Sequence, residues 1–88
     1  MSVKPKHTAV VALSSSTSRL HEALRAAVGL GLRGAHVTLI LYHGAGLADG
    51  DLVCQRALAT LAELGHHVRG PADLAATIAR SDAVEVWT

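Results

Sequence analysis

The sequence predicts an α/β fold: a three-layer sandwich in which a small parallel sheet of about four strands carries helices on both faces, in the order β-α-β-α-β-α-β. Three observations lead there. Apolar runs without alternation, TAVVAL over 8–13 and VTLILY over 37–42, read as strands buried on both faces. Segments whose apolar residues recur at helical spacing stand between such runs. The connections are short, and strand-helix alternation with short connections calls for parallel pairing through right-handed crossovers.

Residues 1–6 read as disordered, and the first strand covers 7–13. Leu20, Ala23, Leu24, Ala27 and Val28 then repeat at helical spacing, with His21, Glu22 and Arg25 opposite. Thr17 or Ser18 is the expected cap of this helix and Gly34 its stop. Gly29 and Gly31 each weaken its last turns by about 1 kcal/mol relative to alanine, which suits a close approach of backbone to sheet. The second strand, 36–42, is β-branched and apolar and belongs in the centre of the sheet. After the loop HGAGLADG, Asp49 or Asp51 caps a helix to about Leu64, with Cys54, Ala57, Leu58 and Leu61 in its stripe and Gly65 closing it. A weak third strand covers 66–69. Gly70-Pro71 starts a third helix, with Leu74, Ala75, Ile78 and Ala79 expected inside, and AVEVW over 83–87 is the last strand. Trp87 then has little chain left to cover it.

The 88 residues make a single domain, since a second would lack the apolar area to fold. Hydrophobic residues make up 50 %, which predicts a packed globule rather than disorder. Alanine, leucine and valine supply most of it; there is no Phe, one Trp and one Tyr. Such side chains bury little area each, and a domain of this size buries only about 60–65 % of its unfolded surface, so association with a partner or a second copy is expected. Net charge is +1 with the bases scattered among acids, which excludes a basic stripe for nucleic acid. The basic start MSVKPKH is followed by too short an apolar run for a signal peptide, and no segment reaches the roughly 18 apolar residues of a membrane span. One cysteine forms no internal disulfide. A cytoplasmic location is expected, with no nucleic-acid or membrane partner and no cofactor.

Three stretches hold the candidate chemistry. Ser14, Ser15 and Ser16 follow the first strand, where open α/β sheets place ligands, and hydroxyls beside a helix N-terminus suit an anion. No phosphate-binding glycine motif accompanies them, and serines also make ordinary caps and turns. His43, Gly44 and Gly46 form the second strand-end loop; the glycines allow close backbone approach, and His43 is a general base if Asp49 or Asp51 orients it, a turn histidine otherwise. Cys54 is the only thiol. At the third position of a helix its pKa is lowered by the free N–H groups, while Asp49 and Asp51 oppose the thiolate and the apolar stripe favours burial as a small hydrophobe. The histidines lack metal-ligand spacing: His66 and His67 point to opposite faces if in a strand, and His7, His21 and His36 come from three elements, so no metal site is expected.

The run AVVALSSSTSRLHEALRAAVGLGLRGAHVTLILYHGAGL, with DLVCQRALATLAELG and the closing IARSDAVEVWT, resembles the DsrE/DsrF-like family, which includes the TusBCD proteins. The resemblance covers most of the chain and rests on its pattern of strands, polar loop, alanine-rich helix and glycine loop. It implies a three-layer α/β domain that assembles into trimers or hexamers, homomeric or heteromeric, and serves a cytoplasmic sulfur relay in which a cysteine persulfide exchanges sulfur with a TusA-like carrier. The family's acceptor cysteine follows the third strand; Gly70-Pro71 occupies that place here, and Cys54 lies in the preceding helix. The resemblance therefore implies a non-catalytic or docking subunit. The alternatives are a sulfurtransferase carrying a persulfide on Cys54, and a small anion- or nucleotide-binding module using the strand-end loops.

Overall fold

The computed structural model describes residues 6–43 and 50–88. Strand β1 (His7–Ala12) leads into helix α1 (Thr17–Leu32), β2 (His36–Leu41), α2 (Leu52–Glu63) and the short β3 (His67–Arg69). A turn of 3-10 helix (Pro71–Asp73) continues into α3 (Leu74–Arg80), and β4 (Ala83–Trp87) ends the order. The four strands form one parallel sheet in the spatial order β3-β2-β1-β4, the α/β architecture the alternation predicts. The expectation of disorder for residues 1–5 lies outside the described residues. Lys6 already joins the fold, its carbonyl accepting the His36 N–H at 2.7 Å.

Strand register sorts side chains between the two faces. Under α1 and α2, one cross-strand row is Val68, Leu39, Val10 and Glu85, and the next is Leu41, Ala12 and Trp87. Leu20, Ala23, Leu24 and Ala27 of α1 and Cys54 and Leu61 of α2 close over these rows to form the core. On the opposite face the rows are His67, Thr38, Ala9, Val84 and Arg69, Ile40, Val11, Val86. There, among the described residues, a single helix of 7 residues, α3, faces four strands. It seals Ala9 and Val11 of β1, while Val84 and Val86 on edge strand β4 remain 39 % and 55 % exposed.

Local chemistry sets most boundaries. Gly34 and Gly65 follow the first two helices with φ of +97° and +83°, a conformation that costs other residues roughly 1–2 kcal/mol. Asp51 caps α2, its Oδ1 accepting the Cys54 N–H at 3.1 Å. Ser16, rather than Thr17 or Ser18, is the N-cap of α1: its carbonyl accepts the Leu20 N–H, but its hydroxyl lies 3.0 Å from that of Ser18 and bonds no helix N–H.

Three expectations change in the folded chain. The inner residues of α3 are Leu74 and Thr77, with Thr77 buried, whereas Ala75, Ile78 and Ala79 face outward. A helix of 7 residues presents one narrow side to the sheet, and Leu74 and Thr77 fall on it. Trp87 is half-buried and packs on the core beside Glu22, Arg25, Ala26, Gly29 and Arg33 of α1, although its indole nitrogen is buried without a partner. Gly31 makes room for a side chain and not for sheet backbone, since a Cβ there would lie 2.9 Å from Cδ2 of His66.

Candidate functional site

At the carboxyl ends of β1 and β2 the chain leaves the sheet through 13–16 and 42–51. Both connections lead to helices on the same face, whereas the chain after β3 passes through Gly70-Pro71 to α3 on the other face. A ligand crevice in an open α/β sheet forms outside the carboxyl ends of the strands where the strand order reverses. In the order β3-β2-β1-β4 that reversal lies between β1 and β4, beside the serine loop. Ser14 Oγ accepts the Ser16 N–H at 3.0 Å and Ser16 Oγ pairs with Ser18 Oγ, so these hydroxyls are engaged within the loop; Ser15 is exposed. His43 is exposed and stands edge-on to Tyr42, with ring centroids 5.5 Å apart. Gly44, Gly46 and Asp49 lie outside the described residues.

The cysteine has neighbours that the sequence pattern does not announce. Cys54 is fully buried at the third position of α2. Asp51, one turn earlier, meets it with Oδ1 at its backbone N–H, while Oδ2 lies 2.8 Å from Nε2 of His21 on α1. Donor atoms of His21, Asp51 and Cys54 all lie within 4.8 Å of one another. The Cys54 N–H and His21 hold the Asp51 carboxyl below the usual carboxylate range. Burial, followed by the negative charge of Asp51 and a hydrogen bond to it, pushes the Cys54 thiol up. The helix N-terminus that lowers a thiol pKa is thus overridden by desolvation and an adjacent carboxylate.

Comparison with family models, curated proteins and solved structures finds no match to this chain. Its chemistry is read from its own residues.

Two arrangements follow from the triad. Left as they stand, the imidazole and carboxylate tie α1 to α2, and the thiol fills the space beneath. A divalent ion would need the three donors turned toward a common centre. Two ligand atoms each about 2.0–2.1 Å from a tetrahedral zinc sit roughly 3.3 Å apart. The 2.8 Å contact between His21 and Asp51 is shorter than that and would have to open. The spacing D-x-x-C was visible in the sequence. By helical spacing His21 lies on the polar face of its helix, and nothing local marks a residue 30 positions away as its partner.

His66 is a second residue whose place is set by tertiary contacts. Its Nδ1 accepts the Val37 N–H at 3.2 Å, and its Nε2 is buried against α1 without a partner. Burial, then the nearby His36 and His67, lowers its pKa. His66 and His67 do turn to opposite sides of the sheet: one packs on α1, the other lines a cavity beside α3. After β3, Gly70 has extended backbone with φ −96°, and a Cβ built there meets nothing within 4 Å.

Proposed function

We propose that this chain is a non-catalytic docking subunit of an oligomer, homomeric or heteromeric, in a cytoplasmic sulfur relay of the DsrE/DsrF type, where a TusA-like carrier is the partner. The observation that carries the non-catalytic part is the state of Cys54: fully buried, with its thiol pKa raised by burial and by Asp51. A persulfide carrier needs an accessible thiolate. The place that the resemblance gives to an acceptor cysteine is held by Gly70 and Pro71. Edge strand β4, with Val84 and Val86 exposed, supports association with a second copy, because an unpaired strand edge with apolar side chains favours pairing.

Two measurements test this reading. Light scattering after size exclusion is expected to give a multimer whose mass falls in Val86→Lys, a charge that blunts an exposed edge; a monomer at high concentration would remove the docking role. Incubation with a persulfide donor followed by intact mass is expected to leave the native chain unmodified. Addition of one sulfur that disappears in Cys54→Ser would instead establish the sulfurtransferase alternative.

A further inference from the structure

Among the described residues, the face that α3 serves is covered only in its middle. On the β4 side the open area is apolar, but on the β2-β3 side it is polar and concave. A cavity of about 400 Å³ lies there, lined by His7 of β1, Thr38 of β2, His67 and Arg69 of β3, and Thr77, Arg80 and Ser81 at the end of α3. Its size falls within the range of small-molecule sites, roughly 300–1,000 Å³. Two guanidinium groups, two imidazoles and three hydroxyls line it, and among the described residues no carboxylate does.

Among the described residues, no carboxylate neutralises either arginine. Among the described residues the one ion pair joins His21 and Asp51, on the other side of the sheet, so Arg69 and Arg80 have no carboxylate partner. Arg80 donates Nε–H to the Ala76 carbonyl at 3.3 Å, which lays its side chain along its own helix. Ser81 Oγ–H donates to the Thr77 carbonyl at 2.7 Å, and the Ser81 N–H bonds the Ile78 carbonyl. These bonds engage the Ala76, Thr77 and Ile78 carbonyls in the last turn of α3, a helix end whose partial negative charge the Arg80 guanidinium offsets. Asp82, the next acid along the chain, has Oδ2 on the His7 backbone N–H at 2.9 Å. Register adds a further constraint: Thr38 and His67 are direct cross-strand partners, as are Ile40 and Arg69, so the polar wall stands on regular sheet and not on a loop.

We infer that this cavity binds a small phosphorylated metabolite, with Arg69 and Arg80 gripping the phosphoryl oxygens from opposite walls and the hydroxyls of Thr38 and Thr77 completing the shell. Guanidinium groups match phosphoryl oxygens in bidentate geometry, which makes them the fitting cations for such a group. A nucleic-acid backbone is the less suitable occupant, because the positive charge is concave and local rather than arranged along a stripe. This site stands apart from the docking role and does not depend on it.

Titration calorimetry of inorganic pyrophosphate into the full chain at low ionic strength tests it. Saturable binding at one site is expected, weakened about tenfold or more in Arg69→Gln and in Arg80→Gln and unchanged in Arg25→Gln on the far face. Amide shift mapping on the unsubstituted chain, which needs no variant to fold, is expected to mark Thr38, His67, Arg69, Thr77 and Ser81. No saturable heat, equal weakening in Arg25→Gln, or shifts confined to residues 13–18 would overturn the assignment. Tighter binding of a short oligodeoxynucleotide at the same amides would replace the metabolite with a nucleic acid and overturn it as well.

Discussion

Gly31 of α1 and the imidazole of His66 occupy one space: a side chain of any size at 31 collides with the ring, whose Nδ1 is held by the N–H of Val37. An exposed helical glycine replaced by alanine gains up to about 1 kcal/mol. At this position the gain is reversed, because the ring cannot move without giving up its bond. Gly31→Ala is expected to lower stability by about 1–3 kcal/mol in urea unfolding. In the double variant with His66→Ala the clash disappears and the alanine is expected to stabilise. Equal effects of Gly31→Ala in both backgrounds would show that the ring and the glycine are not coupled.

The same histidine makes stability depend on pH. Burial lowers its pKa in the fold below the ordinary 6.5, so the unfolded chain binds the proton more readily. The stabilisation is fully present above about pH 6.5 and is lost as pH falls from there through the lowered folded value, with protonation also removing the acceptor for the Val37 N–H. Thermal unfolding between pH 7.5 and pH 5 is expected to show a decrease in Tm that is smaller in His66→Gln. An identical slope in that variant would assign the decrease to other groups.

Asp51 acts on the helix and on the thiol by different properties. Asparagine retains the capping oxygen and removes the charge, whereas alanine removes both. Asp51→Ala is expected to lower Tm by roughly a few degrees in thermal unfolding and Asp51→Asn by much less. In Asp51→Asn the pH midpoint of Cys54 alkylation is expected to move down, since the negative charge that raises it is gone, but to stay above that of a free thiol because burial is the larger cause. An unchanged midpoint would mean that burial alone sets it. The carboxyl itself, held below the usual range, contributes stability above about pH 3.8 that is lost as pH falls through its lowered folded value.

Gly70 offers the converse experiment to Cys54. Its backbone is extended and the space around its Cα is open, so Gly70→Cys is expected to fold with little change in Tm. The new thiol is expected to react rapidly with an alkylating reagent while Cys54 in the same molecule does not. Equal rates for the two would show that Cys54 is reached by opening motions.

Zinc probes whether the triad opens. Because His21 and Asp51 are already paired at 2.8 Å, addition of zinc at neutral pH is expected to leave Tm unchanged. A stoichiometric rise that disappears in Cys54→Ser would show that the donors separate and take the ion, the proton of the thiol being displaced.

The sequence by itself determined the elements. Unbroken apolar runs over 8–13 and 37–42, the helical stripes beginning at Leu20 and Cys54, and the glycines at 34 and 65 depend on neighbours a few residues away, so they can be read along the chain. The strand over AVEVW and a cap at Asp49 or Asp51 fall within that range, and the structure assigns the cap to Asp51. Alternation of strand and helix then fixed a parallel sheet with its central strands covered.

Only the tertiary structure decided which chemistry sits together. His21 reaches Asp51 across two helices, His66 fits against Gly31, and Arg69 and Arg80 face one cavity, although each pair is separated by intervening elements. The side on which α3 meets the sheet is likewise set by packing, which brings Thr77 inward instead of Ile78. The deepest consequence is one of area. One short helix cannot cover four strands, and the register of β3 and β4 determines that the uncovered ends are polar on one side and apolar on the other. Periodicity states that a residue has a face; long-range packing states what that face meets.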